Sequence, residues 1–166
     1  MQIQIDGTSL NETVVSVLEQ MAFIFCEPAD LQEGIDLDEF EFIKVSLTFD
    51  GHKSGQVTII APNEFCRELV ANMLGEDIDN EDDCGKQADA VKEILNIITG
   101  QYLTQVYGDK VVFNLSAPEA AEIQSEELYA FIGENECACC QSDEYPVLTF
   151  ASLTGEISHE YTSTDC

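Results

Sequence analysis

The hydrophobic pattern changes period several times along the chain, and each change predicts an element. Ser9-Leu10-Asn11-Glu12 is a capping-box pattern, in which a hydroxyl and a carboxylate three residues apart satisfy the free N–H groups of a helix start. The apolar-periodic run behind it extends to about Phe25 and predicts a largely buried helix that ends before Pro28. The acidic stretch from Ala29 to Glu39 has no apolar period and reads as a loop. Period two begins in Phe40–Phe49 and returns in Gly55–Ala61, with Asp50-Gly51 as the turn, which predicts a β-hairpin. Pro62 suits the first turn of a following helix and Glu64 its positive end, while Gly75 after Leu74 is a natural stop.

After an acidic linker over Glu76–Asp83, a long helix is predicted from about Lys86 to Val106. Gly108-Asp109 then turns the chain into a strand at Lys110–Leu115, and Glu127–Gly133 and Val147–Leu153 read as two more strands. Residues 155–166 are rich in Gly, Ser and Thr and read as a tail, which leaves residues 1–154 as the domain. The order α-β-β-α-α-β-β-β predicts an α+β fold, a mostly antiparallel sheet with long helices packed on one face.

The long helix has two unlike sides. At about 100° per residue, Ala88, Val91, Ile94, Leu95, Ile98, Tyr102 and Val106 gather on one side and predict core. Asp89, Glu93, Asn96 and Gly100 fall within about 60° of one another on the other side, with Ile97 at the border of the stripe. Exposed polar residues on a helix are ordinarily solvated surface. Asn and Gly, however, are poor helix formers, Gly costing about 1 kcal/mol relative to Ala. Two of them on one exposed stripe call for a reason, and close approach of another backbone supplies one.

Composition narrows the functions. The chain has 166 residues, 45% of them hydrophobic, enough for one domain with a real core. No apolar run is long enough to span a bilayer. The N-terminal Met1-Gln2-Ile3-Gln4-Ile5-Asp6 lacks the basic region of a secretory signal, so the cytoplasm is expected and no membrane partner is. Thirty-three acids against six bases leave a formal charge of −27, and no Lys or Arg follows Lys110. Such a surface repels phosphate backbones, which argues against nucleic acid as a partner.

The seven cysteines, at 26, 66, 84, 137, 139, 140 and 166, have irregular spacing and are expected as reduced thiols, Cys26 and Cys66 as small core residues. Cys137, Cys139 and Cys140 form the one candidate thiol-metal cluster. A fourth ligand would have to come from Cys84, Cys166 or His159, and nothing in the spacing specifies it, so no metal is assigned. His52 reads as turn surface, the glycines form no phosphate loop, and nothing predicts a bound cofactor.

Asp89, Glu93 and Asn96, with Pro118 downstream, resemble the motif of the CheC/CheX-type chemotaxis phosphatases. That motif is an acidic or Ser residue, three residues, Glu, two residues, Asn, and a Pro some twenty-odd residues later. Pro118 fits the last place with one residue of slack. Gly55–Pro62 and Leu69–Glu76 also look like the family's strand-then-helix segment, and the resemblance covers roughly residues 9–155. A second, degenerate copy is faintly legible. Aligning Leu18 with Leu95 sets Ser16 opposite Glu93 and Glu19 opposite Asn96, so the acid–amide pair occurs once.

The single motif is nearest the CheX branch, and the resemblance implies a homodimer joined through the sheets. It further implies a phosphatase acting on the aspartyl phosphate of a CheY-like response regulator. Glu93 would pair with the receiver's active-site lysine, Asn96 would orient the attacking water, and Asp89, Ile97, Gly100 and Pro118 would meet the partner. The Mg²⁺ and lysine that phosphoryl transfer requires would then belong to the receiver, since this acidic chain offers only Lys92 near the motif. A non-catalytic receiver-binding module of the same fold is the alternative, and a thiol-metal domain a more distant one.

Overall fold

The computed structural model describes residues 7–31, 36–75, 84–134, 137–142 and 145–153. Four helices, α1 (Gly7–Ala22), α2 (Asn63–Leu74), α3 (Cys84–Tyr107) and α4 (Ser125–Glu134), surround one sheet. Its strands are β1 (Cys26–Pro28), β2 (Phe42–Gly51), β3 (Gly55–Pro62), β4 (Phe113–Leu115), β5 (Glu119–Ile123), β6 (Cys137–Ser142) and β7 (Tyr145–Leu153). They lie in the order β1-β6-β7-β3-β2, with β4 and β5 sharing the outer edge of β2, and every pairing is antiparallel. The fold is the expected α+β sheet with the long helices on one face.

The predicted hairpin is β2–β3, in register from Phe42 opposite Pro62 to Phe49 opposite Gly55. Gly55 is obligatory because a Cβ there would collide with the Phe49 ring and the Ser152 carbonyl. Strand alternation divides the interior in two. Val45, Leu47, Val57, Ile59, Ala61, Ala138 and Val147 face α1, α2 and α3 and complete the main core with Val14, Leu18, Phe65, Leu69, Ile94, Leu95 and Ile98. On the reverse face, Phe42, Ile60, Cys139, Leu148 and Phe150 pack with Leu37, Ile123 and Leu128.

The covering of that reverse face differs from expectation. Glu127–Gly133, predicted as a strand, lies in α4. Its aromatic and aliphatic residues favour a strand by type, but Leu128, Phe131 and Ile132 follow the i, i+3, i+4 spacing of a helix, and Glu126 and Glu127 complement its positive end. Leu128 is buried, and the Phe131 ring meets Phe150 edge-on at 4.7 Å between centroids. Tyr129 donates a hydrogen bond to Asp38 at 3.2 Å, which ties α4 to the one-turn helix Leu37–Glu39 inside the stretch read as loop.

Three further corrections concern element ends. The first helix begins at Gly7, so Ser9 lies inside it and accepts, through its carbonyl, a hydrogen bond from the Thr13 hydroxyl at 2.9 Å. The same helix stops at Ala22 rather than near Phe25, and Cys26–Pro28 form an unexpected edge strand. The strand predicted at Lys110–Leu115 keeps only Phe113–Leu115; after a break at Ser116–Pro118 the chain resumes along β2 as β5. These short strands escape the period-two test because at most one residue of each is buried. The linker 76–83 and the tail 155–166 lie outside the described residues.

Candidate functional site

The long helix holds the stripe. On its inner side Val91, Ile94, Leu95 and Ile98 are 0–1% exposed and Tyr102 and Leu103 nearly so. Thr99, also fully buried, donates its hydroxyl to the Leu95 carbonyl at 2.7 Å and so carries no unsatisfied polar atom into the core. Val106, predicted as core, is 47% exposed because it lies in the last turn, beyond the part of the helix that other elements cover. Ala88 is only half-buried, while Gln87 and Ala90 are buried instead.

Asp89, Glu93 and Asn96 are exposed, one turn after another, on the outer side. Gly100 is half-buried, and a Cβ added to it would meet nothing within 4 Å, so this chain's own packing does not require glycine there. Ile97 is half-buried against the main core and borders the stripe as expected. Pro118 belongs to a different element. It is half-buried in the break between β4 and β5 on the sheet edge.

Three physical features bear on what the stripe can do. It is rigid, since four fully buried aliphatic side chains fix the opposite face of the same helix. Its polar groups are free among the described residues, with no side-chain hydrogen bond or ion pair to Glu93 or Asn96. It is exposed: Asp89, Glu93 and Asn96 stand on the outer side of the helix, and two surface cavities of about 460 and 360 Å³ lie elsewhere, one lined by Phe25, Glu27 and Pro28 and the other by Phe42, Asn63 and Ser125. An exposed acid–amide pair on a rigid helix is open to contact by another molecule.

The cysteines do not form a site of their own. Period two along β6 sends Ala138 and Cys140 toward the helices and Cys139 and Cys137 toward the reverse face, so the three thiols cannot converge on one ion. No group of three or more potential ligands is gathered for a metal among the described residues. Cys26, Cys66, Cys137, Cys139 and Cys140 are free thiols. Burial pushes Cys66 and Cys137 up to about 12 and Cys139 to about 11. A hydrogen bond with Cys26, and then burial, holds Cys140 well above the ordinary thiol value. Such thiols stay protonated and inert at neutral pH.

The chain is thus an α+β domain, an antiparallel sheet with long helices on one face, that presents an exposed acid–amide pair from the middle of one of them. The sequence pattern of the family described as "Chemotaxis phosphatase CheX" matches residues 43–140, more than half of the chain. The chain belongs to the CheX family.

Solved structures agree on the fold. CheX from Vibrio vulnificus is similar with a TM-score of 0.67 at 15% identity, over 93% of this chain and 100% of that one. CheX from Desulfovibrio desulfuricans gives 0.64 at 17% identity, over 89% and 98%. A chain of the CheX–CheY–BeF3–Mg²⁺ complex from Borrelia burgdorferi gives 0.66 at 19% identity, over 90% and 99%. No curated protein sequence matches the chain. Among the described residues no helix is long and apolar enough to cross a membrane.

Proposed function

We propose that this protein accelerates hydrolysis of the aspartyl phosphate on a CheY-like receiver domain. The reading is carried by one observation: Glu93 and Asn96 stand exposed and unpaired, three residues apart, on a helix whose opposite face is fully buried. Membership of the CheX family, and the presence of CheY in the complex that contains a structural relative, support a CheY-like receiver as the partner.

The chemistry follows from what the chain has and lacks. Phosphoryl transfer is catalysed by positioning and by cations at the phosphoryl oxygens. With a net charge of −27 the chain cannot bring those cations, so the receiver supplies Mg²⁺ and lysine. Asn96 supplies the position: its carboxamide accepts a hydrogen from the attacking water and donates to a neighbouring oxygen, whereas a carboxylate there would repel the phosphoryl group. Glu93, one turn away, pairs with the receiver's lysine and sets the register in which Asn96 enters. Asp89 and Ile97 flank the entry. Gly100 leaves room for the partner's backbone to approach, and Pro118 adds a contact from the sheet edge.

There is one such site per chain. At the positions of α1 that echo the motif, Ser16 and Glu19 replace the pair. A cytoplasmic homodimer, joined through the sheets, is the assembly this reading implies. Phosphate release from an acetyl-phosphate-charged receiver, followed with native protein, Asn96→Ala and Glu93→Ala, tests it. Acceleration by the native chain alone is expected. Binding without acceleration would make the chain a receiver-binding module instead.

A further inference from the structure

The C-terminus of α1 contains an aromatic residue held where glycine is normally found. Phe23 has a φ of 55°, a left-handed conformation in which a bulky side chain is an outlier. Its N–H donates to the Glu19 carbonyl at 3.2 Å, and the Ile24 N–H to the Leu18 carbonyl at 3.1 Å, which closes the helix around it. The Phe23 ring is 72% exposed. The position therefore carries two costs, backbone strain and apolar exposure, either of which glycine would remove. Asn72 donates to the Ala22 carbonyl at 2.8 Å and so joins the end of α2 to the end of α1, and those two helix ends also carry exposed Leu74 (56%) and Met21 (42%).

The topology fixes where this apolar group stands relative to the stripe. The α3 C-terminus lies at the β2–β3 turn, where Tyr107 meets His52 and Phe113. The α1 C-terminus leads into Cys26, which pairs with Ser142 at the β6–β7 turn. The register of β7 on β3, with Leu153 opposite Gly55 and Leu148 opposite Ile60, puts those two turns at opposite ends of the sheet. The two helices therefore run antiparallel. The Thr13 hydroxyl is 2.9 Å from Gln105 Oε1, so nine residues farther along α1 Ala22 comes level with Asn96 on α3. With packed helix axes about 8–10 Å apart, Phe23 stands within about 15 Å of Asn96. A partner that buries a standard ~800 Å² per side covers a disc of about 16 Å radius. A protein docked with its centre on Asn96 therefore has Phe23 near the edge of the surface it covers.

We infer that Phe23, with Met21 and Leu74 at the same two helix ends, is an apolar anchor of the surface that docks the receiver, adding affinity without taking part in the chemistry. This rests on the phosphatase reading above. A second copy of the chain is a poorer occupant, because Glu19 and Glu27 flank the group and two such surfaces would set like charges against each other.

Phe23→Gly separates the anchor from a structural role, since glycine suits the backbone there. The melting temperature should hold or rise. The Kd for the CheY-type receivers of the source cell, charged with BeF3 and Mg²⁺, should rise about three- to tenfold, as expected for loss of an apolar contact near the interface edge. The corresponding KM should rise with kcat unchanged. Val112→Ser, at a residue 78% exposed beyond the far end of α3, should leave the Kd alone. An unchanged Kd in Phe23→Gly with the native protein binding would overturn the anchor and leave the phosphatase reading intact. Failure of the native chain to bind any of these receivers would overturn both.

Discussion

The inner and outer faces of α3 share one backbone and obey opposite rules. Inside, Val91, Ile94, Leu95 and Ile98 have no room for change, and their identity is set by volume and apolarity. Outside, Asp89, Glu93, Asn96 and Gly100 contribute little to the fold, and helix propensity alone would favour other residues at two of the four positions. The packed face makes the exposed face useful: a water-positioning group needs a backbone that does not yield, and the buried aliphatics provide it.

The contrast makes predictions that fall in order of size. Leu95→Ala removes a fully buried side chain and should lower stability by about 2–5 kcal/mol, read from denaturant unfolding. Because Leu95 backs the turn that carries Asn96, the fraction that remains folded should also lose kcat; an unchanged kcat would mean that the packed face does not hold the exposed one in place. The alkaline limb comes next. Thiols whose folded pKa is raised contribute stability that is complete below their unfolded value near 9 and is lost as pH rises toward 11–12. Each fully buried thiol should contribute a slope of about 1.4 kcal/mol per pH unit in that window. Melting temperatures recorded from pH 7 to 11 should be insensitive to these groups up to about 9 and then fall, and Cys66→Ala should reduce the fall. Smallest, Gly100→Ala should raise stability by about 0.5–1 kcal/mol, because open space surrounds the added methyl. The same change should weaken receiver binding. A stabilised variant that docks as well as native protein would remove Gly100 from the interface.

Much of this contrast was legible before the fold was in hand. The hairpin, α2, α3 and the stripe follow from periodicity and caps, which are local signals, and those elements lie where predicted. Legibility failed where the local signal and the tertiary environment disagree. The segment Leu128–Ile132 is strand-like in residue type but helical in spacing, and its burial against Phe150 settles the matter. The short edge strands β1 and β5 present too few core-facing residues to show a period. Phe23 looked like the continuation of an apolar helix face; only a backbone that turns left-handed at that residue exposes it. The stripe itself is visible as a pattern, but its freedom from internal partners among the described residues required coordinates.

The division of labour on the outer face comes down to one experiment: single-turnover dephosphorylation of a charged CheY-like receiver by native protein, Asn96→Ala and Glu93→Ala, with the melting temperature of each recorded. Native protein should accelerate phosphate release. Asn96→Ala should lose on the order of 100-fold in the chemical step, the scale set by misplacing a reacting group by about an ångström, with binding and melting temperature retained. Glu93→Ala should weaken docking at unchanged stability. Variants that release phosphate as fast as native protein would contradict the assignment of the site, and a native chain that releases none beyond the receiver's own rate would contradict the function.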